Sequence, residues 1–209
     1  MRIFKRLLMI VAVLTAFASL SAGTALASDV LPASAHPHGW SLTRMTSAIA
    51  LFNTSGNNAA YYPATPFQIL YTGPSGFTVR PGTSFFVPLF WVDDSVPVLG
   101  TWPATHEDAI SYFFDPAQLG GKGFVITVDG RSTPIRHAYL AGPVTTPPLL
   151  DCSEPASCGT HMIVLGAFMH PLTPGSHSVR IQGGVYGDDV IAVYGGPIVE
   201  DITYPVTVR

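Results

Sequence analysis

The chain has 209 residues, of which 47% are hydrophobic and 11% charged. Apolar side chains in this proportion exclude an intrinsically disordered protein, because they provide enough surface to form a packed core. Acidic residues outnumber basic ones by thirteen to ten. This balance argues against nucleic acid and anionic membrane surfaces as partners, since both are bound through basic patches.

The N-terminus has the parts of a cleavable signal peptide. Basic residues at positions 2, 5 and 6 precede an apolar stretch at 7–20, and Ala25-Leu26-Ala27 follows as a small-x-small cleavage site. We therefore expect a signal peptide over 1–27, cleavage between Ala27 and Ser28, and a secreted or periplasmic protein without stable membrane insertion. The net charge of the mature chain, 28–209, is expected to be −6, because removal of 1–27 takes away three basic residues and no acidic one.

A second small-x-small site, Ala33-Ser34-Ala35, lies directly before His36. Cleavage there would give a mature chain that begins His36-Pro37-His38, and an N-terminal histidine can bind copper. We favour Ala27 because it follows the apolar stretch at the usual distance. Residues 28–40 are then expected to form a flexible leader, and 41–209 a single domain.

The first half of this domain shows short apolar runs separated by Gly and Pro, which is typical of β structure. Residues 41–53 fit a strand or a helix, and 67–71 fit a strand. The run SFFVPLFWV (84–92) is apolar throughout, as is HMIVLGAFM (161–169) further along the chain. Runs of this kind predict central strands that are buried on both faces. A short helix or turn is expected within 106–120.

The second half contains the clearest hairpin. FVITVDGRSTPI (124–135) alternates apolar and polar residues around Asp129-Gly130, a two-residue turn pair. SHSVRIQGG (176–184) and DITYPVTVR (201–209) also alternate, and Pro205 predicts an edge strand or a bulge for the last of them. Together the elements predict an all-β fold, a single antiparallel β-sandwich of immunoglobulin-like or jelly-roll type.

The two cysteines, Cys152 and Cys158, are separated by five residues. In an exported protein an isolated pair normally forms a disulfide. We expect this bridge to close a small surface loop.

Four segments occur in an order that suggests a known family: GFTVRPGTSFFVPLFWVDDS, FVITVDGRSTPI, HMIVLGAFMHPLTPGSHSVRIQGG and DITYPVTVR. Over about 67–209 the chain resembles an uncharacterised family of exported bacterial β-sandwich-like proteins. The resemblance implies export and a β-sandwich fold. It implies no catalytic residues, because the family has no assigned activity.

The stretch 91–114 combines aromatic rings with carboxylates and a histidine, namely Trp91, Asp93, Asp94, Trp102 and His106. Planar rings stack on sugar faces, and carboxylates accept hydrogen bonds from sugar hydroxyls. The favoured hypothesis is therefore an exported, non-catalytic module that binds a glycan or an extracellular protein through loops around 91–114. Core packing of these rings is the simpler explanation of the same pattern.

The alternative hypothesis is a secreted copper or zinc enzyme with histidine ligands. His36, His161 and His170 are its candidates, although no pair of them has the spacing of a metal site. Acidic pairs at 93–94, 107–108, 188–189 and 200–201 would suit calcium or a glycosidase acid and nucleophile. No Gly-x-Ser-x-Gly motif is present. We expect no bound cofactor.

Overall fold

The computed structural model describes residues 29–150 and 158–209. Helices are α1 (Leu42–Thr54), α2 (His106–Phe114) and α3 (Asp188–Tyr194). The first five strands are β1 (Phe67–Ile69), β2 (Phe77–Val79), β3 (Ser84–Asp93), β4 (Gly121–Val128) and β5 (Arg131–Pro134). The last four are β6 (Leu140–Thr145), β7 (His161–Met169), β8 (Gly175–Val185) and β9 (Ile198–Val208). The predicted signal peptide lies outside the described residues.

The strands form two mixed sheets. One has the order β1-β3-β7-β6 and the other the order β2-β9-β8-β4-β5. All neighbours are antiparallel except β1 with β3 and β2 with β9, which are parallel. The expectation of an all-β antiparallel fold is therefore wrong in its detail: the protein is mostly β, with mixed sheets and three helices. Sequence alternation shows which residues share a face but not the direction of the neighbouring strand.

The inner faces of the two sheets share one hydrophobic core. β3 contributes Phe85 and Val87 to it, β7 contributes Leu165, and β8 and β9 contribute Ile181 and Tyr204. The outer face of the first sheet forms a second cluster with α1. β3 and β7 are thus covered on both sides, which explains their continuous apolar runs and confirms their prediction as central strands. Among the described residues, no helix is long and apolar enough to cross a membrane.

Helix α1 resolves the ambiguity over 41–53. Ser41 caps its N-terminus by accepting a hydrogen bond from Arg44 N at 3.1 Å. Met45, Ile49 and Phe52 recur every three or four residues and are fully buried against the first sheet. A spacing of three and four residues suits one helix face, whereas a strand would need a period of two.

The hairpin prediction is confirmed. β4 pairs with β5 in the register Val128↔Arg131, and both Asp129 and Gly130 have positive φ, as a type I′ turn requires. The prediction for Pro205 is only partly right. β9 lies between β8 and the short strand β2, but β2 pairs only from Val206 onward. Pro205 therefore occupies the part of β9 that has a single strand neighbour among the described residues.

The segment expected to be a flexible leader packs on the domain over its described part, 29–40. Val30 is 4% exposed and bridges Met169 at the end of β7. Leu31 N donates to Phe168 O at 2.9 Å, and Asp29 forms an ion pair with Arg131 at 2.7 Å. This docking was not predictable from the sequence, because a single buried valine has no periodicity.

The turn between β4 and β5 is connected to β8 by a histidine–carboxylate pair. His177 Nδ1 lies 2.7 Å from Asp129 Oδ2, and His177 Nε2 lies 2.8 Å from Thr173 O. The hydrogen bond to Asp129 is the main reason that the pKa of His177 is raised. Partial burial alone would raise the pKa of Asp129, but hydrogen bonds from His177 and Ser178 outweigh it, so that pKa is lowered.

This pair predicts a pH-dependent contribution to stability. This contribution is fully present at pH values between about 3.9 and about 6.5, the unfolded-state pKa values of Asp and His. The contribution is lost as the pH rises through the raised pKa of His177, or falls through the lowered pKa of Asp129. We expect His177→Gln to reduce the free energy of unfolding more at about pH 5.5 than at about pH 8.5, measured by urea denaturation. An equal loss at both values would contradict the ion pair.

Candidate functional site

A cleft of about 400 Å³ lies where the open sides of the two sheets meet. We call it the edge cleft. It is lined by Asn53, Asn57, Tyr71, Thr72, residues 88–93, 95–97, Leu99, Ile181, Tyr194, Ile198, Glu200, Ile202 and Tyr204. The walls thus come from β3 and β9, and the ends from α1, the residues after β1, and the loop after β3. A volume of this size suits a small organic ligand or a few residues of a polymer.

The cleft exists because the two edge strands are short. β1 pairs only with residues 84–86 of β3, and β2 pairs only with residues 206–208 of β9. The remaining parts of β3 and β9 therefore have no strand partner on the side of the cleft, within the part of the chain that the structure describes. Gaps of this kind expose backbone hydrogen-bonding groups as well as side chains.

Two residues that line the cleft each have a buried side-chain atom for which the described residues provide no hydrogen-bond partner. The two atoms are Asn53 Nδ2, in a residue that is 4% exposed, and Ser95 Oγ, in a residue that is 8% exposed. A buried polar group without a partner costs about 1–3 kcal/mol. Such groups are uncommon in folded proteins and are satisfied here if a bound molecule supplies the partner.

The charged groups of the edge cleft are acidic. Asp93 and Glu200 line it, and no lysine or arginine from the described ranges 29–150 and 158–209 does. Burial raises the pKa of the Glu200 carboxyl. Burial, together with the nearby charge of Glu200, raises the pKa of Tyr204 to about 12, so its hydroxyl stays protonated and can donate a hydrogen bond at neutral pH. The cleft therefore favours a ligand with a positive charge or with hydrogen-bond donors.

Of the five residues predicted to bind a glycan, two line the edge cleft and three lie elsewhere in the fold. Trp91 and Asp93 line the edge cleft. Asp94 instead holds the start of β7, where its Oδ1 accepts from His161 N at 2.7 Å and its Oδ2 lies 2.8 Å from His161 Nδ1. These contacts give Asp94 a structural role.

The other two predicted residues also lie away from the cleft. Trp102 is partly buried against the core between the sheets, with its ring in edge contact with Tyr112 at 5.8 Å. The Nδ1 atom of His106 lies 2.9 Å from Gly142 O, which anchors the first turn of α2 to β6. The stretch 91–114 is therefore not one continuous surface, because helix α2 carries its second half into the core.

The histidines proposed as metal ligands do not form a shared site with other ligands in the described part of the chain. No group of three His, Cys, Asp or Glu side chains there could hold a metal ion. His161 and His170 lie at opposite ends of β7, and His36 precedes the short 3₁₀ helix Pro37–Gly39. Of the predicted disulfide, Cys152 lies outside the described residues and Cys158 is not a free thiol. The bridge stays a prediction.

Three residues of the cleft were not predicted from the sequence: Asn53, Ser95 and Tyr204. A fourth, Glu200, was named only as part of the acidic pair 200–201. One signal was available for Glu200. Along β9 the buried positions alternate through Tyr204, Val206 and Val208, so Glu200 falls on the same inward face. A carboxylate on the inward face of a strand indicates a site, because a buried charge is costly without a partner. The positions of Asn53 and Ser95 depend on tertiary packing.

Comparison of the chain with protein-family models and with curated proteins finds no match. One solved structure that is similar in part is the crystal structure of dimeric latent PorU from Porphyromonas gingivalis. The sequence identity is 14% and the TM-score is 0.29, and the match covers 69% of this chain and 10% of that chain. A similarity at this level supports no conclusion about fold or function. The resemblance to exported β-sandwich-like proteins thus remains an expectation.

Proposed function

We propose that this protein is an exported, non-catalytic binding module that holds a glycan or a segment of a partner protein in the edge cleft. Export is supported by the predicted signal peptide over 1–27. The packing of two sheets around one core is compatible with a β-sandwich, a fold that commonly presents binding sites at its edges and loops.

One observation carries the proposal of binding. Asn53 and Ser95 line the same cleft as Trp91 and Tyr204, and each has a buried side-chain atom without a hydrogen-bond partner among the described residues. Aromatic walls provide contact area, whereas a few converging polar groups provide orientation. A bound molecule that hydrogen-bonds to both groups would remove a cost that the free protein carries.

The test compares two tryptophans. Trp91 and Trp40 are both partly buried against the α1 cluster, but only Trp91 lines the edge cleft. We expect immobilised glycan and peptide arrays to identify a ligand that binds the wild-type protein and Trp40→Ala alike, and that binds Trp91→Ala at least about tenfold more weakly.

Two outcomes would contradict the proposal. Ligands whose binding is equally weakened in both tryptophan variants would place recognition outside the cleft. Release of shortened glycans during prolonged incubation would show turnover, and would favour a glycosidase that uses Asp93 and Glu200 as its two carboxylates.

A further inference from the structure

A second cavity, of about 430 Å³, lies beside the first half of β4, and we call it the β4 pocket. β5 pairs with β4 only over residues 125–128, and the bond from Ile135 N to Phe124 O at 2.9 Å ends the ladder. Residues 121–123 therefore have β8 on one edge and, in the described part of the chain, no strand on the other. Helix α2 and residues 135–137 enclose the space that is left.

A β-bulge shapes this part of β4. Gly123 and Phe124 occupy two positions of β4 where β8 has only Gly183, so the register between the two strands shifts. Gly123 has φ +73°, a left-handed conformation that favours glycine. Because of the bulge, Gly121 and Phe124 are both buried, although residues three apart in a regular strand face opposite sides. Bulges redirect side chains in this way and are common beside binding sites.

The floor of the β4 pocket is apolar. Phe124 and Ile135, the first residue after β5, line it and are each 4% exposed. Ile110 and Phe114 lie about one turn apart on α2, also line the pocket, and are partly buried against the same core. Two aromatic rings and two branched aliphatic side chains thus offer contact area to a flat apolar molecule.

The rim of the β4 pocket is basic, although the mature chain has an expected net charge of −6. Lys122, Arg136 and His137 line the pocket, and no aspartate or glutamate from 29–150 or 158–209 does. None of the ion pairs within these ranges involves any of the three basic residues. Lys122 Nζ lies 4.4 Å from the centroid of the Tyr186 ring, a contact that holds the ammonium group without cancelling its charge.

From this arrangement we infer that the β4 pocket binds a small organic acid, with its carboxylate at Arg136 and its flat apolar body on the floor. A planar guanidinium group can donate to both oxygens of a carboxylate, and an imidazole N–H of His137 can add a further hydrogen bond. The inference goes beyond the proposed function, because the β4 pocket and the edge cleft share no lining residue.

The experiment titrates the isotope-labelled mature protein with cinnamate and follows the backbone amide signals by NMR. We expect saturable binding, with the largest changes in chemical shift at residues 110–114, 121–124 and 135–137. Cinnamamide has the same flat apolar body without the charge, and acetate has the charge without the body. Each should bind at least about tenfold more weakly than cinnamate, because each lacks one of the two kinds of contact.

Two arginine variants test the role of the rim. Arg136→Gln should weaken cinnamate binding about tenfold and leave cinnamamide binding nearly unchanged, because only the anion uses the guanidinium group. Arg80→Gln is the matched control. It removes the same charge from an exposed position after β2, at the opposite end of the strand order of the second sheet, and should leave cinnamate binding unchanged.

The outcomes separate this inference from the proposed function. Equal affinity for cinnamate and cinnamamide, or equal weakening by both arginine variants, would overturn the carboxylate site. Shifts confined to Trp91, Tyr204 and their neighbours would place the ligand in the edge cleft and overturn the assignment to the β4 pocket. Absence of cinnamate binding at millimolar concentration would also overturn it. The binding module is tested independently by Trp91→Ala, and the amide spectrum of each variant verifies that it is folded.

Discussion

A chain that begins at His36 should have a free energy of unfolding about 2–4 kcal/mol lower than that of a chain that begins at Ser28. The loss comes from the burial of Val30, worth about 1.5–3 kcal/mol, and from backbone hydrogen bonds worth about 0.5–1.5 kcal/mol each. Two such bonds join this segment to the end of β7: Leu31 N donates to Phe168 O, and His170 N donates to Asp29 O, both at 2.9 Å. Ordering of the segment offsets part of the gain.

Urea denaturation of the two recombinant chains measures this difference, and Val30→Ala in the longer chain should reproduce part of it. Equal midpoints would show that the segment contributes nothing to the free energy of unfolding.

The result also bears on where the signal peptide is cleaved. Cleavage after Ala35 would produce the N-terminal histidine considered above as a copper ligand, but it would remove the buried Val30 and its bridge to Met169. N-terminal sequencing of the exported protein is expected to give Ser28.

Phe113→Ala should lower the free energy of unfolding by about 3–5 kcal/mol, the usual cost of deleting a fully buried aromatic ring. Phe113 has no exposed surface, and its ring contacts those of Phe90 and Phe124 at centroid distances of 5.9 and 5.7 Å. These three rings join α2 to one strand of each sheet. The substitution therefore leaves a cavity at the point where the three elements meet.

The neighbouring Phe114 provides the matched control, because it belongs to the same helix and is only partly buried against the core. Phe114→Ala is expected to cost about half as much or less, by the smaller area that it removes from burial. Urea midpoints for both variants decide the comparison. A similar cost for both would contradict the placement of α2.

Much of the fold was predictable because the strands have simple patterns. The hairpin around Asp129-Gly130 and the apolar runs of β3 and β7 each carry a local signal that specifies one structure. The parallel pairing of β1 with β3 and of β2 with β9 was not predictable. Each of these strands has three residues, too few for alternation to appear, and its partner lies elsewhere in the chain.

The candidate site was predictable only in part, for a related reason. Trp91 and Asp93 were predicted because the stretch 91–114 combines aromatic rings with carboxylates, and both line the cleft. Trp102 and His106 were grouped with them by proximity in sequence, but helix α2 directs that segment elsewhere. Asn53 comes from the end of α1, and its position in the same cleft as Trp91 follows from the packing of a helix on a sheet, which no short motif records.

The open edges of β3 and β9 have a consequence for how the protein behaves at high concentration. Unpartnered strand edges promote aggregation, because a second copy can pair with them. Pro88 and Pro205 each remove a donor from one of these edges, and Pro is a common means of blocking such pairing. The same short strands that leave room for a ligand are thus accompanied by residues that keep copies of the protein apart.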